Sequence, residues 1–260
     1  MAADHTPPAG GPLDLTGRVV LVTGAAQGIG EAIARLCAER GALVVLADAN
    51  AERGEAAAAR IRDEGRIASF VQTDVRDAAQ VDALVAATVA RHGRLDGLVA
   101  AAGVLKGPWT PIEELTLEDF DLTQAVNIRG TFLCARAATP HLEASGRGVM
   151  VIIASVAGVS QASSSFAYGA SKGGVHGLGM TLAGRLADRG IRVNTVCPGN
   201  IVTEMKLSVD IAMAQRAGAS VDDAVARANR EYGSPEGVAR LIAFLLSDEA
   251  DHVRGTIFTR

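Results

Sequence analysis

The sequence predicts an α/β fold in which one domain is built on a doubly wound parallel sheet of about seven strands. Two observations predict it. Short runs that are almost entirely apolar alternate with longer segments whose apolar residues recur at helical spacing. The chain is 48% hydrophobic but only 3% aromatic, and its 29 glycines suit closely packed backbones. Strands that are apolar on both faces are typical of a parallel sheet covered by helices on both sides.

The first half of the chain contains four expected strands and three expected helices. Short apolar or β-branched runs predict strands at residues 18–22, 43–47, 67–72 and 98–101. Apolar residues that recur every three or four positions predict helices at residues 29–40, 51–64 and around 81–89. Gly41 provides the stop signal of the first helix.

The second half adds three strands and longer helices. Apolar runs predict the strands at residues 149–154, 192–196 and 256–259. A capping pair, Thr116 and Asp119, starts a helix that reaches about residue 143, and another long helix ends near residue 189. Ser234 and Pro235 have the chemistry of the N-cap and first position of a last helix, which ends at residue 246.

The composition argues against several classes of partner. The formal net charge of −4 and the pI near 5.8 disfavour nucleic acid and anionic membranes as principal partners. No apolar run approaches the ~18 residues of a membrane-spanning helix. Residues 1–12 are neither basic nor strongly apolar, so we expect a disordered tail rather than a signal peptide, followed by one domain at residues 13–260.

The three cysteines, Cys37, Cys134 and Cys197, are isolated in the sequence and flanked by apolar residues. Their odd number and wide spacing disfavour a disulfide framework or a zinc site, and no histidine is paired at metal-binding spacing. We therefore expect no metal, interpret the cysteines as buried and unreactive, and expect a cytoplasmic protein.

The junction between the first strand and the first helix is rich in glycine. It has the sequence TGAAQGIG and contains Gly24, Gln27, Gly28, Ile29 and Gly30. Glycines at such a turn permit a sharp bend and a close backbone approach, and the N-terminus of the following helix attracts a pyrophosphate. The junction therefore predicts a dinucleotide-binding turn.

Asp48 follows the second strand, where a carboxylate accepts hydrogen bonds from the hydroxyls of an adenosine ribose; a helix cap is the alternative. A 2′-phosphate at that place would meet a like charge. Gln27 and Ala49 occupy the positions from which a basic residue would offset it, and Arg53 is expected to face solvent. The expected cofactor is therefore NAD rather than NADP.

Tyr168 and Lys172 are four positions apart, and Ser155 precedes them. On a helix, this spacing puts the phenol and the ammonium on one face, where the cation would lower the pKa of the phenol from about 10. A tyrosine with a lowered pKa is useful as a general base at neutral pH. The same pair also occurs on ordinary solvated helix faces, so alone it is a weak signal.

Four stretches in order resemble the short-chain dehydrogenases/reductases, over about residues 15 to 258. They are TGAAQGIG, the Ser155–Tyr168–Lys172 set, VNIRGTF around Asn127, and CPGNIVT at 197–203. The resemblance implies a single-domain Rossmann-type fold. It also implies hydride transfer between NAD and a small-molecule secondary alcohol or ketone. In one departure from the family pattern, residues 100–103 are Ala-Ala-Ala-Gly, where the family usually has Asn-Asn-Ala-Gly.

The resemblance implies a role for each matching residue. Tyr168 would be the general acid/base, Ser155 would hydrogen-bond the substrate oxygen, and Asn127 would anchor a water that relays protons. Lys172 would hold the nicotinamide ribose and depress the tyrosine pKa. The other cofactor contacts would come from Asp74, Val75, Gly103, Pro198, Gly199 and Thr203. The ordinary alternatives are a turn residue for Ser155, a mid-helix polar residue for Asn127 and a helix cap for Asp74.

Residues 105–109, 156–167 and the lid segment at about 200–233 would form the walls of the substrate pocket. Met205, Leu207, Ile211 and Met213 would line this lid, or else form the core of a helix pair. Lys106 is interpreted as a solvated surface residue.

Two other functions stay open. One is an NADP-dependent 3-oxoacyl reductase of the same fold, and the other is a non-catalytic dinucleotide-binding sensor, which would not need the Ser-Tyr-Lys set. The resemblance also implies a homotetramer, because relatives associate through the long helices. Here those helices, near residues 117–143 and 168–189, are rich in small residues.

Overall fold

The structure is a computed structural model that describes residues 13–259, so the predicted tail at residues 1–12 lies outside the described residues. Its centre is one sheet of seven parallel strands in the order β3-β2-β1-β4-β5-β6-β7. The strands are β1 (Val19–Thr23), β2 (Leu43–Asp48), β3 (Ala68–Gln72), β4 (Gly97–Ala100), β5 (Val149–Ile153), β6 (Arg192–Cys197) and β7 (Gly255–Phe258).

Helices connect the strands and cover both faces of the sheet. They are α1 (Gly28–Glu39), α2 (Ala51–Asp63), α3 (Ala78–His92), α4 (Leu117–Gln124), α5 (Thr131–Ala144), α6 (Phe166–Leu186), α7 (Glu204–Arg216), α8 (Val221–Glu231) and α9 (Pro235–Leu246). The predicted doubly wound α/β fold is confirmed.

The core lies in two layers, because successive side chains of a strand point to opposite faces of the sheet. In β1, Val20 and Val22 pack on one side with α1, α2 and α9, while Val19 and Leu21 pack on the other side with α3, α5 and α6. All five residues of β1 are buried. This burial on both faces explains why the strand sequences are apolar without alternation.

Most predicted helix starts are present with the expected caps. Thr116 Oγ1 accepts a hydrogen bond from the backbone N–H of Asp119 at 3.1 Å, and Ser234 Oγ accepts one from Gly237 at 3.1 Å. The helix predicted from residue 116 to 143 is interrupted, because Ala125–Gly130 forms a π-helical turn between α4 and α5. That turn contains Asn127, and periodicity alone gave no sign of it.

The order of the strands reverses at β1, because β2 and β3 lie to one side of it and β4 to the other. In open parallel sheets, the crevice beyond the carboxyl ends at such a reversal is where ligands bind. Gly24 follows β1 there and has φ +68°. A Cβ at this position would lie 2.6 Å from the Cα of Ala102, so only glycine lets the two chain segments approach this closely.

Candidate active site

A cavity of about 820 Å³ lies at the carboxyl edge of the sheet. Every site residue predicted from the sequence lines it, with the exception of Asn127. Those residues are Gly24, Gln27, Gly28, Ile29, Gly30, Asp48, Asp74, Val75, Gly103, Ser155, Tyr168, Lys172, Pro198, Gly199 and Thr203.

The glycine-rich turn forms a cradle that side chains would fill. A Cβ on Gly30 would lie 2.1 Å from the carbonyl oxygen of Gly24, so α1 begins directly against the end of β1. Gly28 has φ +61°, and a Cβ on it would lie 3.5 Å from the methyl group of Thr203. Gln27, the N-cap of α1, makes no side-chain cap hydrogen bond. The backbone N–H groups at this helix start therefore suit an anionic group such as a pyrophosphate.

Asp48 stands at the end of β2, with each carboxylate oxygen held by a backbone N–H. Oδ2 accepts from Ala26 of the glycine-rich turn at 3.1 Å, and Oδ1 accepts from Asn50 at 2.9 Å. The cap of α2 is Asn50, whose side chain accepts from the N–H of Arg53. Asp48 is therefore not that helix cap, and its carboxylate is fixed at the cavity wall with further lone pairs for a ligand.

Asp74 follows β3 and forms a bidentate ion pair with Arg76, with Nη2 to Oδ2 at 2.6 Å and Nε to both oxygens at 2.9 Å. The hydrogen bonds from Arg76 lower the pKa of the Asp74 carboxyl. The cap of α3 is Asp77, which accepts from the N–H groups of Ala79 and Gln80. Both Asp74 and Arg76 line the cavity.

Arg53 is exposed, as expected, but it also lines the cavity. Its guanidinium turns toward the mouth of the cavity, where Nη1 and Nη2 donate to the two oxygens of Glu204 at 2.9 and 2.8 Å. Nη1 also donates to Oε1 of Gln27. One side chain thus links α2, the glycine-rich turn and the first residue of α7. Glu204 lies 151 residues further along the chain, so sequence spacing gave no sign of this contact.

Tyr168 and Lys172 lie on one turn of α6, and Ser155 follows β5. Lys172 is 4% exposed; its Nζ donates to the carbonyl oxygen of Ile153 at 2.8 Å and lies 5.5 Å from the centre of the Tyr168 ring. The Ser155 hydroxyl donates to the carbonyl oxygen of Pro198 at 3.5 Å and lies near enough to Tyr168 to affect its pKa. The hydroxyl of Ser155 also accepts from the N–H of Ala157 at 3.1 Å, so it serves the turn after β5 as well.

The pKa of Tyr168 is raised, whereas the spacing of Tyr168 and Lys172 predicted that it would be lowered. Burial raises it to about 12, and the nearby hydroxyl of Ser155 opposes this shift. Burial likewise lowers the pKa of Lys172 to about 8. Desolvation disfavours the charged form of both groups, and it outweighs the opposing effects of Ser155 on Tyr168 and of Cys197 on Lys172. At neutral pH the phenol is therefore protonated and equipped to donate.

Asn127 is fully buried behind Gly103, and its amide ties two segments together. Oδ1 accepts from the N–H of Val104 at 2.8 Å, while Nδ2 donates to the carbonyl oxygen of Val104 at 3.0 Å and to Oγ of Ser171 at 2.8 Å. The amide therefore holds the segment after β4 against α6, and both hydrogens of Nδ2 are used. This geometry makes Asn127 a positioning residue.

The lid segment forms the helices α7 and α8. Met205, Lys206 and Val209 of α7 line the cavity, while Met213 is exposed on the outside. Lys106 is exposed as expected. Leu122 and Val126 also line the cavity, and no sequence pattern predicted their place there.

The described residues offer no second cofactor centre. Within residues 13–259, no three His, Cys, Asp or Glu side chains form a group able to hold a metal ion. The three cysteines are buried free thiols, and burial raises the pKa of each. Among the helices of this described range, none is both long and apolar enough to span a membrane.

Comparison with known proteins agrees with this geometry. Residues 18–214 match the family model for short chain dehydrogenases. Cis-4-hydroxycyclohexanecarboxylate dehydrogenase of Sinomonas cyclohexanicum is 40% identical over 240 residues, covering 92% of this chain and 93% of that protein. D-threitol dehydrogenase of Mycolicibacterium smegmatis is 40% identical over 242 residues, covering 93% of this chain and 90% of that protein.

A solved structure supports the same assignment. The crystal structure of levodione reductase matches with a TM-score of 0.85 at 34% identity, covering 94% of this chain and 96% of the other. The order and spacing of the site residues, the family model and these relatives lead to one conclusion: the chain belongs to the short-chain dehydrogenase family.

Proposed function

We propose that the protein is an NAD-dependent dehydrogenase that interconverts secondary alcohols and ketones, with Tyr168 as the general acid/base. The observation that supports this most directly is the meeting of Ser155, Tyr168 and Lys172 in the cavity that also contains the glycine-rich turn. Two relatives named above are dehydrogenases of hydroxylated compounds, which supports the same reaction class. A non-catalytic sensor would have no use for a buried lysine beside a half-buried phenol.

The cavity fits a dinucleotide. The cradle at Gly28 and Gly30 would hold the pyrophosphate, Asp48 the adenosine ribose, and Lys172 the nicotinamide ribose. A bound nicotinamide supplies or accepts the hydride, and in its oxidised form it brings a positive charge that favours the phenolate of Tyr168.

The residues of the chain would handle the proton. In ketone reduction, the protonated hydroxyl of Tyr168 donates its proton to the carbonyl oxygen, while Ser155 hydrogen-bonds the same oxygen and stabilises its developing charge. In alcohol oxidation, the Tyr168 oxygen accepts the hydroxyl proton. The ammonium of Lys172 opposes the cost of the buried phenolate in both directions.

The charges at the adenosine end of the cavity support NAD over NADP. Asp48 presents a carboxylate where a 2′-phosphate would lie. The two arginines nearby are engaged, Arg53 with Glu204 and Arg76 with Asp74. In both pairs the carboxylate partner offsets part of the positive charge that the arginine could offer to a phosphate. An NADP-dependent 3-oxoacyl reductase is therefore the less favoured function.

The outer faces of α5 and α6 support association of several copies. Phe132 on α5 and Phe166 and Met180 on α6 are about half exposed. A Cβ at Gly177 would meet nothing within 4 Å, so the α6 surface beside Met180 is open. Exposed apolar side chains beside small residues suit close contact between helices of neighbouring subunits. We propose a homotetramer in the cytoplasm.

Replacement of Tyr168 by phenylalanine tests the reaction. We expect Tyr168→Phe to lower kcat by about 10³-fold for secondary alcohols, because the proton has no other acceptor at that place. The dissociation constant of NADH, measured by fluorescence titration, should stay within about threefold, since the ring is kept. Tyr232→Phe, which removes the hydroxyl of the only other tyrosine in the sequence, is the control and should keep normal turnover. Full activity in Tyr168→Phe would refute the assignment.

Asp48 tests the cofactor. We expect kcat/KM with NAD to exceed that with NADP by at least about 10²-fold, from a like-charge penalty of about 3 kcal/mol. Asp48→Ala should narrow this ratio mainly by improving the use of NADP. The control is Asp82→Ala, which removes an exposed carboxylate outside the cavity and should leave the ratio unchanged. Equal use of both cofactors by the unmodified protein would contradict the prediction.

Lys172→Met tests the cost of the buried ammonium. At pH 7 the variant should be more stable by about 2 kcal/mol, because the desolvation of the charge exceeds the hydrogen bond that is lost. Since the pKa of Lys172 is about 8 in the native state and 10.5 in its ordinary state, the unfolded chain binds more protons between these values. The stability of the unmodified protein therefore rises with pH across this window, and the advantage of the variant disappears.

Urea unfolding at pH 7 and pH 10 measures this effect, with activity recorded in parallel. The exposed Lys106 provides the control, because Lys106→Met removes a charge that water already solvates. A Lys172→Met variant that is less stable than the unmodified protein at pH 7 would contradict the account of its burial.

Light scattering at micromolar concentrations tests the assembly. We expect the mass of four chains, and we expect Met180→Glu to lower it because a charge on the open face of α6 opposes close packing. Ile67→Glu changes an apolar side chain of similar exposure before β3 and should keep the tetramer. A single-chain mass for the unmodified protein would exclude the homotetramer.

A further inference from the structure

We propose that Trp109 is the residue that selects the substrate, and that it favours secondary alcohols whose carbinol carbon belongs to a hydrocarbon ring. The inference rests on the proposed function and deepens it by naming a substrate class. Trp109 is the single tryptophan of the sequence; it lies between β4 and α4, and its side chain lines the cavity while 44% exposed.

The backbone of Trp109 is held in an unfavourable conformation. Its φ of +61° is in the left-handed region, which a bulky side chain rarely adopts. Two hydrogen bonds keep it there: its N–H donates to the carbonyl oxygen of Ser164 at 2.7 Å, and its own carbonyl oxygen accepts from Nη1 of Arg216 at 3.0 Å. Strain of this kind persists only where the surroundings enforce it, and it concentrates at ligand-binding positions.

The same segment is fastened to the helix that carries Tyr168. Ser165 Oγ donates to the carbonyl oxygen of Lys106 at 2.6 Å and accepts from the N–H of Tyr168 at 3.1 Å. The neighbouring Ser164 holds Trp109. The backbones of Trp109 and Tyr168 are therefore held by two consecutive residues, which ties the segment of Trp109 to the start of α6.

With the apolar residues that line the rest of the cavity, substrate selection would depend on the shape of the substrate. The cavity also has apolar lining residues outside the glycine-rich turn, namely Leu105, Leu122, Val126, Met205 and Val209, together with the polar Gln161, Ser163 and Lys206. A flat aromatic wall buries the face of a rigid ring over a large area. An open chain of equal carbon number must lose rotational freedom to make the same contact. A ring should therefore gain more from Trp109 than a chain does.

The experiment compares cyclohexanol with 2-hexanol, which have equal carbon number and a secondary hydroxyl each. The unmodified protein should prefer cyclohexanol by about 10-fold in kcat/KM, from the apolar area that the indole covers. Trp109→Ala should reduce this preference to about twofold or less, and Trp109→Phe should keep most of it. Trp109→Gly separates the effect of the side chain from that of backbone strain, because glycine adopts φ +61° without strain. This variant should behave like Trp109→Ala.

The matched control is Ile112→Ala, which truncates an exposed apolar side chain of the same connection that does not line the cavity. It should leave the preference unchanged. An unmodified protein that uses both alcohols equally would overturn the proposal while leaving the dehydrogenase function intact. An unchanged preference in both Trp109→Ala and Trp109→Gly would do the same.

Tryptophan fluorescence measures alcohol binding at Trp109 independently of turnover. Trp109 is the only indole, so its emission reports directly on its own surroundings. Cyclohexanol should shift this emission saturably and 2-hexanol should do so only at higher concentration, whether or not the protein turns them over. A saturable shift of the emission without turnover would support Trp109 as a binding surface and refute the proposed dehydrogenase function. Turnover of cyclohexanol with no change in emission would refute the contact between Trp109 and the bound alcohol.

Arg216 is a positioning residue in this proposal, because it acts through the backbone carbonyl of Trp109 and not by contact with the substrate. Arg216→Ala should change the emission of Trp109 in the ligand-free protein and raise KM for cyclohexanol more than it lowers kcat. Arg216→Lys, which can still donate to the carbonyl oxygen, should restore both. Unaltered emission and KM in Arg216→Ala would remove Arg216 from the scheme.

Discussion

The constraint on which the structure depends is that all seven strands run in the same direction. A parallel sheet leaves neither face to water, so helices must cover both, and each connection must return over the sheet before the next strand begins. Every strand therefore ends at one edge. Asp48 ends β2, and Asp74, Gly103, Ser155 and Pro198 follow four other strands, yet all five residues line one cavity. The chemistry is assembled by topology, from residues that are far apart in the sequence.

Within this cavity, burial disfavours the charged forms of Tyr168 and Lys172. Lys172 is almost fully enclosed and keeps one carbonyl oxygen, that of Ile153, as its hydrogen-bond partner. The fold tolerates this buried lysine on α6, although an apolar side chain would pack there at a lower free-energy cost. The π-helical turn at Asn127 is a second departure from the most regular structure, because it turns a buried amide toward the segment after β4. Such local departures concentrate where function, rather than folding, determines the residue.

The sequence predicted the fold well because its strongest signals are local or periodic. Apolar strands, the caps at Thr116 and Ser234, and the glycine-rich turn depend on neighbours along the chain, and the structure contains all of them. The direction of the Tyr168 pKa shift was predicted wrongly, because spacing reveals the cation on the next turn of the helix but not the loss of water around both groups. The contact of Arg53 with Glu204 joins residues 151 positions apart, and no local pattern encodes such a pair.

The pairing of Arg53 with Glu204 has a consequence for how the two ends of the cavity move. The end of the cavity at Tyr168 is fixed by buried hydrogen bonds of Asn127 and Lys172, whereas the bridge at the other end joins side chains that are 48% and 63% exposed. Exposed ion pairs contribute about 1 kcal/mol or less and weaken as salt screens them. The ion pair between the first turn of α7 and α2 can therefore open at little cost while the surroundings of Tyr168 stay in place.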